Sequence, residues 1–217
     1  MEITAGVHML HLPFNGMAIH PVLLFDQEIA VLIDTGFPGQ YEELKAAIEK
    51  AGTPIHRLHA VILTHQDIDH IGSLPELLQD TGGRIRVYAH EQEVPYIQGE
   101  LPLIKDEHVK HPPKGNVTDL LEDSQVLPFF GGIQVIHTPG HTAGHVSLYL
   151  RQSKTLIAGD SMYSVDGKLM GLHVPTALDP EMAQRSLKKY ADYEIASVIS
   201  YHGGVSTQDI QAQIRAL

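Results

Sequence analysis

The chain contains no cysteine. That absence excludes disulfides, thiolate-held metals and a cysteine nucleophile. No apolar run approaches the ~20 residues needed to span a bilayer. The opening MEITAGVHML lacks the basic stretch and apolar run that mark a secretory signal. A cytoplasmic protein with no membrane partner is therefore the expectation. Basic residues are also scarce: 15 Lys and Arg stand against 26 Asp and Glu, for a formal charge of −11. Phosphate backbones call for a basic surface, so nucleic acid is not an expected partner. Part of the acidity can belong to a metal site counted without its ions. No repeat or low-complexity tract is visible. A length of 217 residues with 43% hydrophobic content fits one domain, spanning 1–217, with its own core.

What is present begins as a strand meander. Apolar runs at Ile3 to Leu12, Ala18 to Phe25 and Ile29 to Ile33 are separated by turns. Pro38 to Ala51 carries Leu44, Ala47, Ile48 and Ala51 on one helical face and stops at Gly52. The run Ala60-Val61-Ile62-Leu63 predicts a buried strand, followed by a helix over about Asp69 to Asp80. Ile85 to Ala89 reads as a strand and Glu91 to Ile97 as a short helix. Residues 99–123 hold three prolines and no clear period, which predicts a surface insert of the kind that often covers a site. Strands follow at Ile133 to Ile136, Val146 to Leu150, Thr155 to Ala158 and Ser197 to Ser200. Helices are expected at Pro180 to Tyr190 and from Thr207. This order predicts an α/β architecture, with two sheets face to face and helices outside.

The densest chemistry lies in Thr64-His65-Gln66-Asp67-Ile68-Asp69-His70, directly after an apolar strand. Side chains two apart in an extended loop share a face, so His65 and Asp67 can point one way. Asp69 and His70 enter the helix and can serve a neighbouring position. Three more candidates stand at strand ends beside glycine: His141 in Gly140-His141, Asp160 after Gly159, and His202 before Gly203. Glycine lets backbone approach an ion closely, and open sheets present sites at strand ends. An acidic helix start accounts for Asp67 and Asp69 by themselves. It does not account for His141, Asp160 and His202. The other eleven of the fifteen histidines fit surface, core or supporting positions.

At these residues the sequence resembles the metallo-β-lactamase superfamily, whose signature is T-H-x-H-x-D-H followed by a distal His, an Asp and a final His. The match runs in order from Asp34 to His202. The resemblance implies a four-layer αββα sandwich of two mixed sheets flanked by helices. It also implies two divalent metal ions, with His65, Asp67 and His141 on the first and Asp69, His70 and His202 on the second. Asp160 would bridge them, and Asp34 and His145 would support the ligands. The departure is Asp67, where the family has His. A third carboxylate lowers the charge of the centre and favours harder metals. Zinc leads the expectation, and manganese and iron stay open, since flavodiiron members carry Glu at the matching place.

The activity implied is hydrolysis of a small molecule by a hydroxide held between the two ions, with Asp69 orienting it and accepting a proton. Tyr163 stands three residues after Asp160, as in N-acyl homoserine lactonases, where that tyrosine assists at the carbonyl or leaving oxygen. A lactone or related ester is thus the first expected substrate, with Tyr163 and His173 lining its pocket under the 99–123 insert. A thioester is second, since glyoxalase II shares the T-H-x-H-x-D-H and G-H-T-x-G-H patterns but carries a further C-terminal substrate domain. An iron-binding oxidoreductase with a flavin partner, a nuclease and a non-catalytic metal-binding protein are further alternatives. A homodimer stays open.

Overall fold

The computed structural model describes all residues, 1–217. The chain forms two compact units, one of residues 1–17 and 21–121, the other of residues 18–20 and 122–217.

The first unit is built on a seven-stranded sheet. Its strands are β1 (Glu2–Thr4), β2 (Val7–Met9), β5 (Val22–Phe25), β6 (Ala30–Ile33), β7 (Leu58–Ile62), β8 (Arg86–His90) and β9 (Asp119–Leu121), in that spatial order. Two short strands, β3 (Leu12–Phe14) and β4 (Met17–Ile19), flank the turn at Asn15 and Gly16. The first four sheet strands pair antiparallel and the last four parallel, so the sheet is mixed. Parallel strands covered by other structure read as unbroken apolar runs. Every residue of β6 is buried, as are Ala60, Val61 and Ile62 of β7.

Two expected long strands are broken in two. Ile3 to Leu12 folds back at Gly6, whose φ is 74° and where a Cβ would lie 2.6 Å from the Phe25 carbonyl oxygen. Ala18 to Phe25 breaks at His20-Pro21, because proline has no N–H for a ladder. Helix α1 (Tyr41–Ala51) ends on left-handed Gly52 as expected, with Leu44 and Ile48 buried. It starts after Pro38 because Gln40 first closes a turn on Phe37.

The helix expected over 69–80 is also divided, into α2 (Ile68–Ile71) and α3 (Leu74–Asp80). Between them Gly72 donates its N–H to the Gly36 carbonyl at 2.8 Å. A Cβ there would sit 2.2 Å from the Phe37 backbone, so the two segments touch through their main chains. Part of the 99–123 stretch is regular structure: residues 119–121 are edge strand β9. After α4 (Val94–Ile97), Leu103 is buried and Gly115 packs against Leu74 and Leu78 of α3.

The second unit carries a six-stranded mixed sheet ordered β10 (Val126–Leu127), β11 (Ile133–His137), β12 (Val146–Leu150), β13 (Thr155–Gly159), β16 (Ser197–Ser200) and β17 (Gly204–Ser206). Only β13 and β16 run parallel. Strands β14 (Tyr163–Val165) and β15 (Lys168–Gly171) form a hairpin. Helices α5 (Pro180–Leu187) and α6 (Ile210–Ala216) contribute Leu187, Ile210 and Ile214 to a core with Leu156, Met162, Tyr190 and Val198. No helix of the chain is long and apolar enough to cross a membrane.

Candidate metal centre

In the first unit the site begins where β6 stops. Asp34 is buried and holds a left-handed φ of 60°, which turns its carboxylate back on the β7 end. Its Oδ1 accepts the Thr64 N–H at 2.8 Å, and its Oδ2 accepts the Thr64 hydroxyl at 2.8 Å. His70 Nδ1 lies 2.9 Å from the same Oδ2. A carboxylate only accepts, so the His70 ring proton is assigned to Nδ1 and the Nε2 lone pair points away from Asp34. The Thr64 hydroxyl, having given its proton to Asp34, is left to accept from His65 Nδ1 at 3.0 Å. Both histidines are thereby left with a basic Nε2. Backbone ties complete the frame, since Thr35 donates both its N–H and its hydroxyl to the His70 carbonyl, at 2.7 and 2.9 Å.

The Nε2 atoms meet carboxylates. His65 Nε2 is 3.3 Å from Asp67 Oδ2, and His70 Nε2 is 3.7 Å from Asp69 Oδ2. A neutral imidazole lone pair facing a carboxylate oxygen is an arrangement that a cation between them reconciles. Gln66, between the ligand candidates, turns aside: its N–H and side-chain amide both donate to Glu93 Oε2, at 3.0 and 3.1 Å. Its Oε1 accepts the Ile104 N–H at 3.0 Å. The next residue, Lys105, donates to Asp67 Oδ2 at 2.6 Å. Burial pushes the Asp106 carboxyl above its usual range, and the charges of Asp67 and Asp69 push it the same way.

In the second unit the turn after β11 is closed by Thr138, whose N–H donates to the His145 carbonyl at 2.8 Å. At its tip Gly140 has a φ of 131°, and a Cβ would collide with the Ala183 backbone at 2.2 Å. The start of α5 is thus pressed against this turn, and His141 beside it is buried. Asp160 leaves β13 with its carboxylate between two histidines. His141 Nε2 lies 3.5 Å and His202 Nε2 3.3 Å from the same oxygen, Asp160 Oδ2. His202 follows β16 and is fixed by its carbonyl, which accepts the Ser164 N–H at 3.0 Å. Tyr163 stands edge-on to His173, ring centres 5.6 Å apart at 88°.

A buried polar chain supports Asp160. Its N–H donates to His145 Nε2 at 3.0 Å, and His145 Nδ1 lies 2.8 Å from Thr138 Oγ1. Thr138 reaches Ser147 at 3.3 Å, and Ser147 reaches the Tyr190 hydroxyl at 2.7 Å. Tyr190 in turn meets Ser161 at 2.6 Å, and both serines donate to the Ala158 carbonyl. Burial pushes the Tyr190 hydroxyl up, which keeps it a donor.

Within each unit, then, the predicted ligands gather in clusters: His65, Asp67, Asp69 and His70 in one, His141, Asp160 and His202 in the other. In the first unit His65 with Asp67 and Asp69 with His70, and in the second His141 with Asp160, hold their ligand atoms within 4.8 Å, a spacing at which they could hold a metal ion. Sequence reasoning missed Gln66, Glu93, Lys105, Thr138, Ser147, Ser161 and Tyr190. Thr138 stands next to the glycine-histidine turn and was the one with a local signal.

The model of the metallo-β-lactamase superfamily matches residues 16–202, most of the chain. The chain belongs to the metallo-β-lactamase superfamily. Among relatives of this metallo-β-lactamase family member, the probable metallo-hydrolase YflN of Bacillus subtilis (strain 168) is 32% identical over 80% of this chain and 75% of its own length. The hydroxyacylglutathione hydrolase GloC of Haemophilus influenzae is 26% identical over 64% of this chain and 63% of its own. A metallo-β-lactamase family protein from Thermus thermophilus superposes with a TM-score of 0.74 at 22% identity, covering 99% of this chain and 79% of that one. That likeness shows the expected metallo-β-lactamase fold, with mixed sheets and flanking helices.

Proposed function

We propose that the two clusters together bind two divalent metal ions and that the protein hydrolyses a lactone, ester or similar small molecule. In this reading His65, Asp67 and His141 would hold the first ion, and Asp69, His70 and His202 would hold the second. Asp160 would serve both. The observation that carries the reading is the single oxygen of Asp160 facing both His141 and His202, at 3.5 and 3.3 Å. A carboxylate oxygen shared by two otherwise separate histidines is what a bridging ligand requires. The donor set of four imidazoles and three carboxylates suits zinc first, and manganese or iron through its oxygen content.

When bound, the ions supply an acidified water and an electrophilic pull on the substrate's carbonyl oxygen. The chain's own groups do the rest. Asp69, at the start of α2, orients the water and takes a proton from it. The Tyr163 hydroxyl hydrogen-bonds the carbonyl or departing oxygen. Water oxygen ends on the acyl carbon, the acyl C–O bond breaks, and the departing oxygen gains a proton. A thioester is the second reading, supported by the similarity to a hydroxyacylglutathione hydrolase. The setting is the cytoplasm.

The test is elemental mass spectrometry on protein purified without an affinity tag or chelator, joined to assays on a lactone, an ester and a thioester panel. About two equivalents of zinc, manganese or iron and turnover of one panel are expected. Full activity in either His65→Ala or His202→Ala would overturn the scheme. Two bound metals with no turnover on any panel would leave a metal-binding protein without this catalysis.

A further inference from the structure

Lys105 and Asp67 are 38 positions apart, yet they meet at 2.6 Å on Asp67 Oδ2. Their side chains are 19% and 11% exposed, so solvent screens the pair poorly. The meeting is built rather than casual. The residue before Lys105, Ile104, donates its N–H to Gln66, the residue before Asp67. Gln66 is in turn held twice by buried Glu93, and Leu103 is buried one step further back. Two neighbouring links, Gln66 to Ile104 and Asp67 to Lys105, therefore fasten the 103–105 segment to the ligand loop.

Electrostatics gives the pair a meaning. Asp67 adds a negative charge to the ligand set, and an ammonium in short contact adds a positive one. Together they sum to zero, as a neutral imidazole does. A carboxylate offers several lone pairs, so an ammonium on one of them leaves others able to face a cation. We propose that Asp67 and Lys105 work as one unit in which Lys105 is a positioning residue. It fixes the carboxylate and cancels its charge, so that metal affinity is set by the pair and not by Asp67 alone. The inference rests on the dinuclear reading above and names what tunes it.

The experiment is a double-mutant cycle on the full chain with zinc, reading the dissociation constant by competition with a chromophoric chelator and the stoichiometry by elemental analysis. Lys105→Met keeps the aliphatic stem and removes a positive charge, so zinc should bind on the order of tenfold tighter or more. A merely structural lysine could not give that sign. Asp67→His leaves the ammonium against a neutral ring and should weaken zinc by a similar factor. The combined variant should return to within about threefold of the parent. Lys105→Gln, with melting curves on every variant, guards against loss of folding. An unchanged or weaker affinity in both lysine variants would overturn the pairing while leaving the dinuclear reading intact. So would a combined variant as weak as Asp67→His. A parent chain that binds no zinc, manganese or iron would instead overturn the dinuclear reading, and the pairing with it.

Discussion

The Asp160 N–H donates to His145 Nε2 at 3.0 Å, and this one bond decides the state of the histidine. An N–H cannot accept, so the ring proton belongs on Nδ1, where Thr138 Oγ1 takes it at 2.8 Å. His145 is thus a strut under Asp160, with both nitrogens committed, and differs in kind from His141 and His202, whose Nε2 atoms face the carboxylate.

Tyr190 extends that strut from the core. Tyr190→Phe keeps the ring and removes a hydroxyl that meets Ser147 and Ser161 in a fully buried place. Leaving those partners short of a hydrogen bond should cost ~1–3 kcal/mol. Denaturant unfolding would register this, and a midpoint equal to the parent's would refute it.

Asp34 is bound by three groups at once, Thr64 twice and His70 once. Asp34→Asn replaces one accepting oxygen with an NH2 facing donors. Metal affinity should fall by roughly 10–100-fold, the usual effect of losing such a supporting group. Chelator competition measures it, and parental affinity in the variant would show that His70 is oriented by something else.

The backbone at His202 leaves no room for change. Gly203 holds a φ of 99°, and a Cβ there would lie 1.8 Å from the Ser164 carbonyl oxygen. Gly203→Ala should therefore lower stability by more than ~1 kcal/mol and reduce metal content, because the turn carrying His202 must move. A melting temperature and metal content both equal to the parent's would argue that the turn is softer than its geometry indicates.

A change at Tyr163 would separate chemistry from binding in the proposed reaction. In Tyr163→Phe the ring can still pack against His173, while any hydrogen bond to the reacting oxygen is gone. On a lactone substrate kcat should drop by roughly 10–100-fold with KM little changed, as expected when a transition-state contact is lost. An equal loss in kcat and gain in KM would assign the tyrosine to binding.

Local pattern carried much of this. The run Ala60 to Leu63 announced β7 and its loop, and within each unit the strand-end histidines and aspartates do cluster. What escaped depends on distant partners. Gly72 breaks a helix because Gly36 and Phe37 press on it, and nothing near Gly72 says so. Lys105 lies in an aperiodic stretch and meets Asp67 across 38 positions. Tyr190 reads as the last apolar residue of a helix, while its hydroxyl partner Ser147 is 43 positions away. Side-chain hydrogen bonds of this reach leave no period in a sequence, since one polar residue at each end is enough.

The polar chain beneath Asp160 has fixed ends and a middle that can exchange. It starts at an amide, which only donates, and finishes at the Ala158 carbonyl, which only accepts. Between them, both serine protons go to that carbonyl, so the Tyr190 proton has two acceptors, Ser147 Oγ at 2.7 Å and Ser161 Oγ at 2.6 Å. It can go to either serine. Hydroxyl rotation alone interconverts the two, with no displacement of carbon or oxygen. The choice between two acceptors is a residual entropy of one buried proton, and it requires no movement of the heavy atoms beneath Asp160.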